Sequence, residues 1–180
     1  MKKSRKNIVV SGFGGQGVLF LGTILSQAAM IEGKNTTWIP SYGAEMRGGS
    51  ANCYVVISDE DIASPIFDNA DMGIFLSKQA MAKFENMLAE NGLIVADSSM
   101  AGENKKRNDV SYFFKPFNDM VVANNAKFLL NIVVLGAFIK KTGILMKESV
   151  FAALKKVSLM KKPEFLDLNL KSFEYGWSLI

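Results

Sequence analysis

The chain has 180 residues, 49% of them hydrophobic, and a formal net charge of +4. Its one cysteine and lack of histidine exclude an internal disulfide framework and an iron–sulfur cluster held by four cysteines of this chain. They also exclude the Ser–His and Cys–His pairs of nucleophilic catalysis.

The length fits a single domain, 1–180, with enough interior to fold without staples. Lys2, Lys3, Arg5 and Lys6 precede apolar residues, but Gly12, Gly14, Gly15, Gln16 and Gly17 interrupt them too soon for a signal peptide. Residues 8–11 read as a short apolar strand, and 18–31 as a helix rich in Leu, Ile and Ala, stopped by Glu32-Gly33. Residues 36–39 are β-branched and aromatic, as a second strand requires. Gly43, Gly48 and Gly49 among polar residues make 40–50 an irregular loop. Strands are expected at 51–57, 72–76 and 93–96. A helix over 78–89 is capped by Ser77 and ended by Glu90-Asn91-Gly92. Residues 102–109 read as a loop and 110–114 as a late or edge strand. The longest helical run is 124–140, with Gly143 as its stop. Its most apolar part, 128–139, falls short of the roughly 20 residues a membrane crossing needs and reads as buried. Another helix covers 147–157, Pro163 prevents its continuation, and 165–180 is a tail of unassigned structure. Strands alternating with helices predict an α/β fold: a mostly parallel sheet with helices on both faces, a Rossmann-like three-layer sandwich.

The positive charge lies in short patches: residues 2–6, Lys105 to Arg107, Lys155/Lys156 and Lys161/Lys162. They read as solvated faces, since no recognition helix or zinc-finger spacing points to nucleic acid. A reducing, cytoplasmic compartment suits the single cysteine.

Gly12, Gly14 and Gly17 have the spacing of a dinucleotide fingerprint between a strand and a helix. Backbone N–H groups of Gly12, Gly14, Gly15, Gln16 and Gly17 at a helix start are candidates to hold a phosphate. The acid that would bind a ribose at the end of the second strand is missing, because that region reads Thr36-Thr37-Trp38-Ile39-Pro40-Ser41. The Lys-Ser/Thr ending of a P-loop is missing as well. A dinucleotide, another phosphate-bearing ligand and a structural or interface role all remain open for this turn.

Ser41 to Gly49 is the second unusual segment. Arg47 offers a rigid fork to a carboxylate or phosphate, Glu45 can pair with it or with a partner, and Tyr42 adds a phenol. With Gly48 and Gly49 these residues are candidates for contacts with a partner or a substrate channel. A surface loop with one local ion pair is the plainer reading. Glu45 lacks the partner of a general acid–base pair. Cys53 lacks a histidine to activate it, and reads as a small core residue. No catalytic residue and no metal ligand set is assigned. Asp59, Glu60, Asp61, Asp68 and Asp71 read as turn or cap residues.

Taken together, the two glycine segments resemble those of the gamma subunit of the 2-oxoacid:ferredoxin oxidoreductases, over almost the whole chain. Ser64-Pro65, Asn131 with Leu135-Gly136-Ala137, and Phe173-Glu174-Tyr175-Gly176-Trp177 resemble further segments of that family. Ala44 stands where many members have proline, and Ser50 where threonine is frequent. The resemblance implies an accessory subunit of a complex that converts a 2-oxoacid and coenzyme A to acyl-CoA, carbon dioxide and reduced ferredoxin, with 2-oxoglutarate the foremost substrate. It implies alpha and beta subunits carrying thiamine diphosphate and magnesium, a delta subunit in some assemblies, and iron–sulfur clusters in cysteine-rich partners. Without them, the isolated chain can pair with itself. A stand-alone nucleotide- or dinucleotide-binding oxidoreductase is the alternative. Neither reading calls for nucleic acid or a membrane.

Overall fold

The computed structural model describes residues 5–42, 49–124 and 127–180. Six strands, β1 (Arg5–Phe13), β2 (Asn35–Tyr42), β3 (Ser50–Ser58), β4 (Ala70–Phe75), β5 (Leu88–Asp97) and β6 (Ser111–Lys115), form one sheet. The helices are α1 (Val18–Ile31), α2 (Lys78–Phe84), α3 (Ser98–Ala101), α4 (Phe117–Ala123), α5 (Leu130–Thr142), α6 (Lys147–Lys161) and α7 (Leu166–Ser178).

The sheet order is β2-β3-β1-β4-β5-β6. Strand β3 runs antiparallel to both β1 and β2, whereas β1, β4, β5 and β6 are parallel. The sheet is therefore mixed, which corrects the expectation of a mostly parallel one. The cause is the short connection between β2 and β3. Parallel neighbours need a crossover of about a dozen residues or more, and residues 43–49 are too few to supply one. The three-layer, Rossmann-like sandwich is also corrected. One face of the sheet packs Ile8, Val10, Val55 and Ile74 against α1, α4, α5, α6 and α7. The other packs Val9, Phe75 and Ile94 against only the short α2 and α3 and their flanking segments. Most of the helical mass lies on one side.

Alternation along β1 explains why both faces are dry. Ile8 and Val10 enter one core cluster, Val9 enters the other, and all three are fully buried. Every residue of α5 from Ile132 to Ile139 is buried. Each fully buried Leu, Ile, Val or Phe contributes about 1.5–3 kcal/mol.

Several boundaries differ from expectation. The helix from Lys78 stops at Phe84, passes through a 3-10 turn at Glu85–Met87, and β5 begins at Leu88. Strand β2 extends through Pro40 to Tyr42; as an edge strand it tolerates a residue that cannot donate a hydrogen bond. Helix α5 starts at Leu130 and meets its stop at Gly143, which holds φ at 60°. The tail is helix α7. Its buried residues, Asn169, Ser172, Phe173 and Gly176, keep helical spacing, but three of them are polar or small. The crossing of α5 and α7 depends on two glycines. A Cβ at Gly136 would lie 2.3 Å from the Phe173 carbonyl oxygen, and one at Gly176 would lie 1.9 Å from that of Val133.

Candidate functional site

Antiparallel pairing of β3 with β1 sets Ser50 opposite Phe13. The connection from β2 to β3 therefore begins and ends at the edge of the sheet where β1 runs into the glycine turn. Tyr42, opposite Ala51, leaves the sheet there, and Gly49 re-enters it. The two segments meet directly, since the Gly14 N–H donates to the Gly49 carbonyl at 2.9 Å. Glu45, Arg47 and Gly48 lie outside the described residues, and of Tyr42 only the backbone is described.

Within the turn, most donors are already engaged. Phe13 N–H donates to Gln16 Oε1 (2.7 Å), and Gln16 N–H donates to the Phe13 carbonyl (3.1 Å). Gln16 Nε2 reaches across to the Leu76 carbonyl at the end of β4 (3.1 Å). The amide side chain thus occupies the hollow of the turn, and a Cβ on Gly12 would sit 2.5 Å from Gln16 Oε1. Gly17 caps α1 at φ 73°, with Asn131 of α5 pressed against it; a Cβ there would be 2.2 Å from Asn131 Nδ2. Gly15, at φ 95°, is exposed. Among the described residues, the N–H groups of Gly15 and Gly17 have no partner.

A cleft of about 600 Å³ opens beside the turn, lined by Gly15, Gln16, Gly17 and Phe20 on one side and by residues of α5, α6 and the start of α7 on the other. Asn131, Lys161, Lys162, Phe165 and Asn169 all border it. None of these was assigned to a site from the sequence. Asn131 is marked in the sequence by its resemblance to a family segment and not as a lining residue, and the α6–α7 wall is hidden there because the last segment has no assigned structure.

The geometry departs from a dinucleotide site. There, β2 lies beside β1, and its terminal acid reaches the ribose. Here β3 intervenes, so the end of β2 is two strand spacings, roughly 10 Å, from β1.

Cys53 is fully buried, with its thiol 3.6 Å from the Val18 carbonyl. Burial pushes its pKa up to about 12 despite favourable bonds from Trp38 and Gly22, which is the opposite of an activated nucleophile. Asp97, at the end of β5, is likewise fully buried. Desolvation raises its pKa against bonds from the Asn118 and Ser99 backbone, and its Oδ2 has no partner among the described residues. No group of three or more metal-binding side chains occurs among the described residues.

A family model described as pyruvate ferredoxin/flavodoxin oxidoreductase matches residues 7–179. The chain belongs to this family, as a gamma-type subunit of the 2-oxoacid:ferredoxin oxidoreductases. It is 36% identical to the 2-oxoglutarate synthase subunit KorC of Methanocaldococcus jannaschii, over 98% of this chain and 95% of that one. It is 32% identical to the ketoisovalerate oxidoreductase subunit VorA of Methanothermobacter marburgensis over 94% of its own length. That alignment spans only 35% of VorA, so the gamma-type chain matches about a third of a longer polypeptide. The crystal structure of a keto/oxoacid ferredoxin oxidoreductase gamma subunit from Geobacter sulfurreducens superposes with a TM-score of 0.82. Identity is 30%, over 97% of this chain and 95% of that one.

The other family segments have physical roles in the gamma-type fold. The Ser64 carbonyl accepts from Arg5 Nη2 (3.0 Å), which holds the connection between β3 and β4 under the start of β1. Gly136 and Gly176 permit the close helix crossing described above.

Proposed function

We propose that this chain is the accessory gamma subunit of a cytoplasmic complex that converts a 2-oxoacid and coenzyme A to acyl-CoA, carbon dioxide and reduced ferredoxin. The 2-oxoacid is 2-oxoglutarate, a choice supported by near full-length similarity to KorC. Alpha and beta subunits supply thiamine diphosphate and magnesium, cysteine-rich partners supply iron–sulfur clusters, and some assemblies include a delta subunit.

The backbone bond from Gly14 to Gly49 carries this reading. It brings Gly49, the end of the second distinctive segment, onto the glycine turn at the sheet edge, and Tyr42, Glu45, Arg47, Gly48 and Gly49 are proposed as the residues that contact the partner subunits beside their substrate channel. Gly12 and Gln16 hold the turn closed, while the amides of Gly15 and Gly17, without a partner among the described residues, suit an anionic group of a ligand or partner. A stand-alone dinucleotide-binding oxidoreductase is disfavoured by the displaced β2.

Reconstitution tests the proposal. The alpha and beta subunits are assayed for 2-oxoglutarate-dependent, coenzyme A-dependent ferredoxin reduction with and without this chain. The expected result is loss of turnover or of assembly when it is omitted. Unchanged turnover together with unchanged assembly would sink the proposal.

A further inference from the structure

The outer face of α6 and the turn after it combine features that a solvated helix does not need. Residues 155–162 read Lys-Lys-Val-Ser-Leu-Met-Lys-Lys, with four lysines and no acid. Without these four among its 21 basic residues, the chain would balance its 17 acidic ones. The whole net charge of +4 is thus matched by one octapeptide. Helical periodicity sorts it cleanly. Val157 and Ser158 face the core, while Lys155, Lys156, Leu159 and Met160 face outward. Leu159 is 58% exposed and Met160 77%.

Phe165, 37% exposed, borders the 600 Å³ cleft together with Lys161 and Lys162, and the Lys162 ammonium lies 5.5 Å from its ring centre. Among the described residues, none of the four lysines has an ion-pair partner. An apolar centre with a charged rim is how a protein interface is laid out, and a rim of one sign selects a partner of the other.

We infer that this face is a docking site for an acidic segment of a partner subunit. Its carboxylates engage Lys155, Lys156, Lys161 and Lys162, and an apolar side chain between them packs on Leu159 and Met160. The inference rests on the proposed assembly.

The test uses the chain co-expressed and purified with its alpha and beta partners. Two variants are compared with the wild type: K155E/K156E/K161E/K162E and L159S/M160S. Each is expected to weaken assembly by about tenfold or more, and wild-type affinity is expected to fall as salt rises. All six positions are exposed, so thermal unfolding of the isolated chain reports whether folding is intact. K105E/K106E serves as a charge control and should assemble normally. A photo-cross-linker in place of Met160 should capture a partner subunit through an acidic peptide.

Wild-type assembly with both variants unaffected would overturn the docking site and leave the functional proposal standing. A cross-link to a second copy of this chain, or to nothing, would also overturn the site. Failure of the wild type to assemble at all would overturn both.

Discussion

Gln16 shows how one side chain can decide the character of a glycine turn. Its oxygen takes the Phe13 N–H and its amide donates to the Leu76 carbonyl, so it ties β1 to the end of β4 and fills the hollow of the turn. Truncation leaves a half-buried donor and an acceptor without partners. Gln16→Ala is expected to cost about 1–3 kcal/mol, read as a lower midpoint in urea unfolding. Gln16→Glu keeps the acceptor but places a carboxylate against the Leu76 carbonyl. It should be at least as destabilising near neutral pH and recover as acid protonates it. Equal stability of wild type and both variants across pH would refute this role. The glycines were legible because their spacing is an explicit signal. That Gln16 turns inward was not, since a glutamine in a loop has many places to point and only Leu76, 60 residues away, fixes the choice.

At the scale of elements, the α5–α7 crossing is the most exacting contact. The Val133 carbonyl leaves no room for a side chain at position 176, so Gly176→Ala must push the helices apart or distort one of them. Overpacking of this kind costs about 1–3 kcal/mol. The loss should appear in chemical denaturation, and it should exceed that of Gly33→Ala, where no atom lies within 4 Å and only the positive φ opposes the change. Helix α1 and the buried stretch of α5 could be read directly, because continuous apolar residues of helical length have few alternatives. Helix α7 could not. Its inward face uses Asn169 bonded to Ser158 and Ser172 bonded to the Leu129 backbone, so burial there follows hydrogen-bond partners rather than hydropathy.

Across the whole molecule, the two cores share the sheet strands, with alternate residues of β1 in each. That arrangement predicts one cooperative unfolding transition. Cys53 is a built-in reporter. Fully buried, with its thiol pushed up to about 12, it should resist a thiol reagent in the native state and react at a rate set by unfolding. Coincident labelling, fluorescence and circular dichroism transitions are expected. Rapid labelling under native conditions would show that the core opens locally. Local order in the amino acids determined the strand–turn–helix start, the two glycine segments and the family they mark, since each depends on residues close together in the chain. Strand direction and neighbour choice depend on contacts between distant residues. Only the tertiary structure could decide that β3 enters antiparallel between β1 and β2, and that insertion is what brings Gly49 onto Gly14.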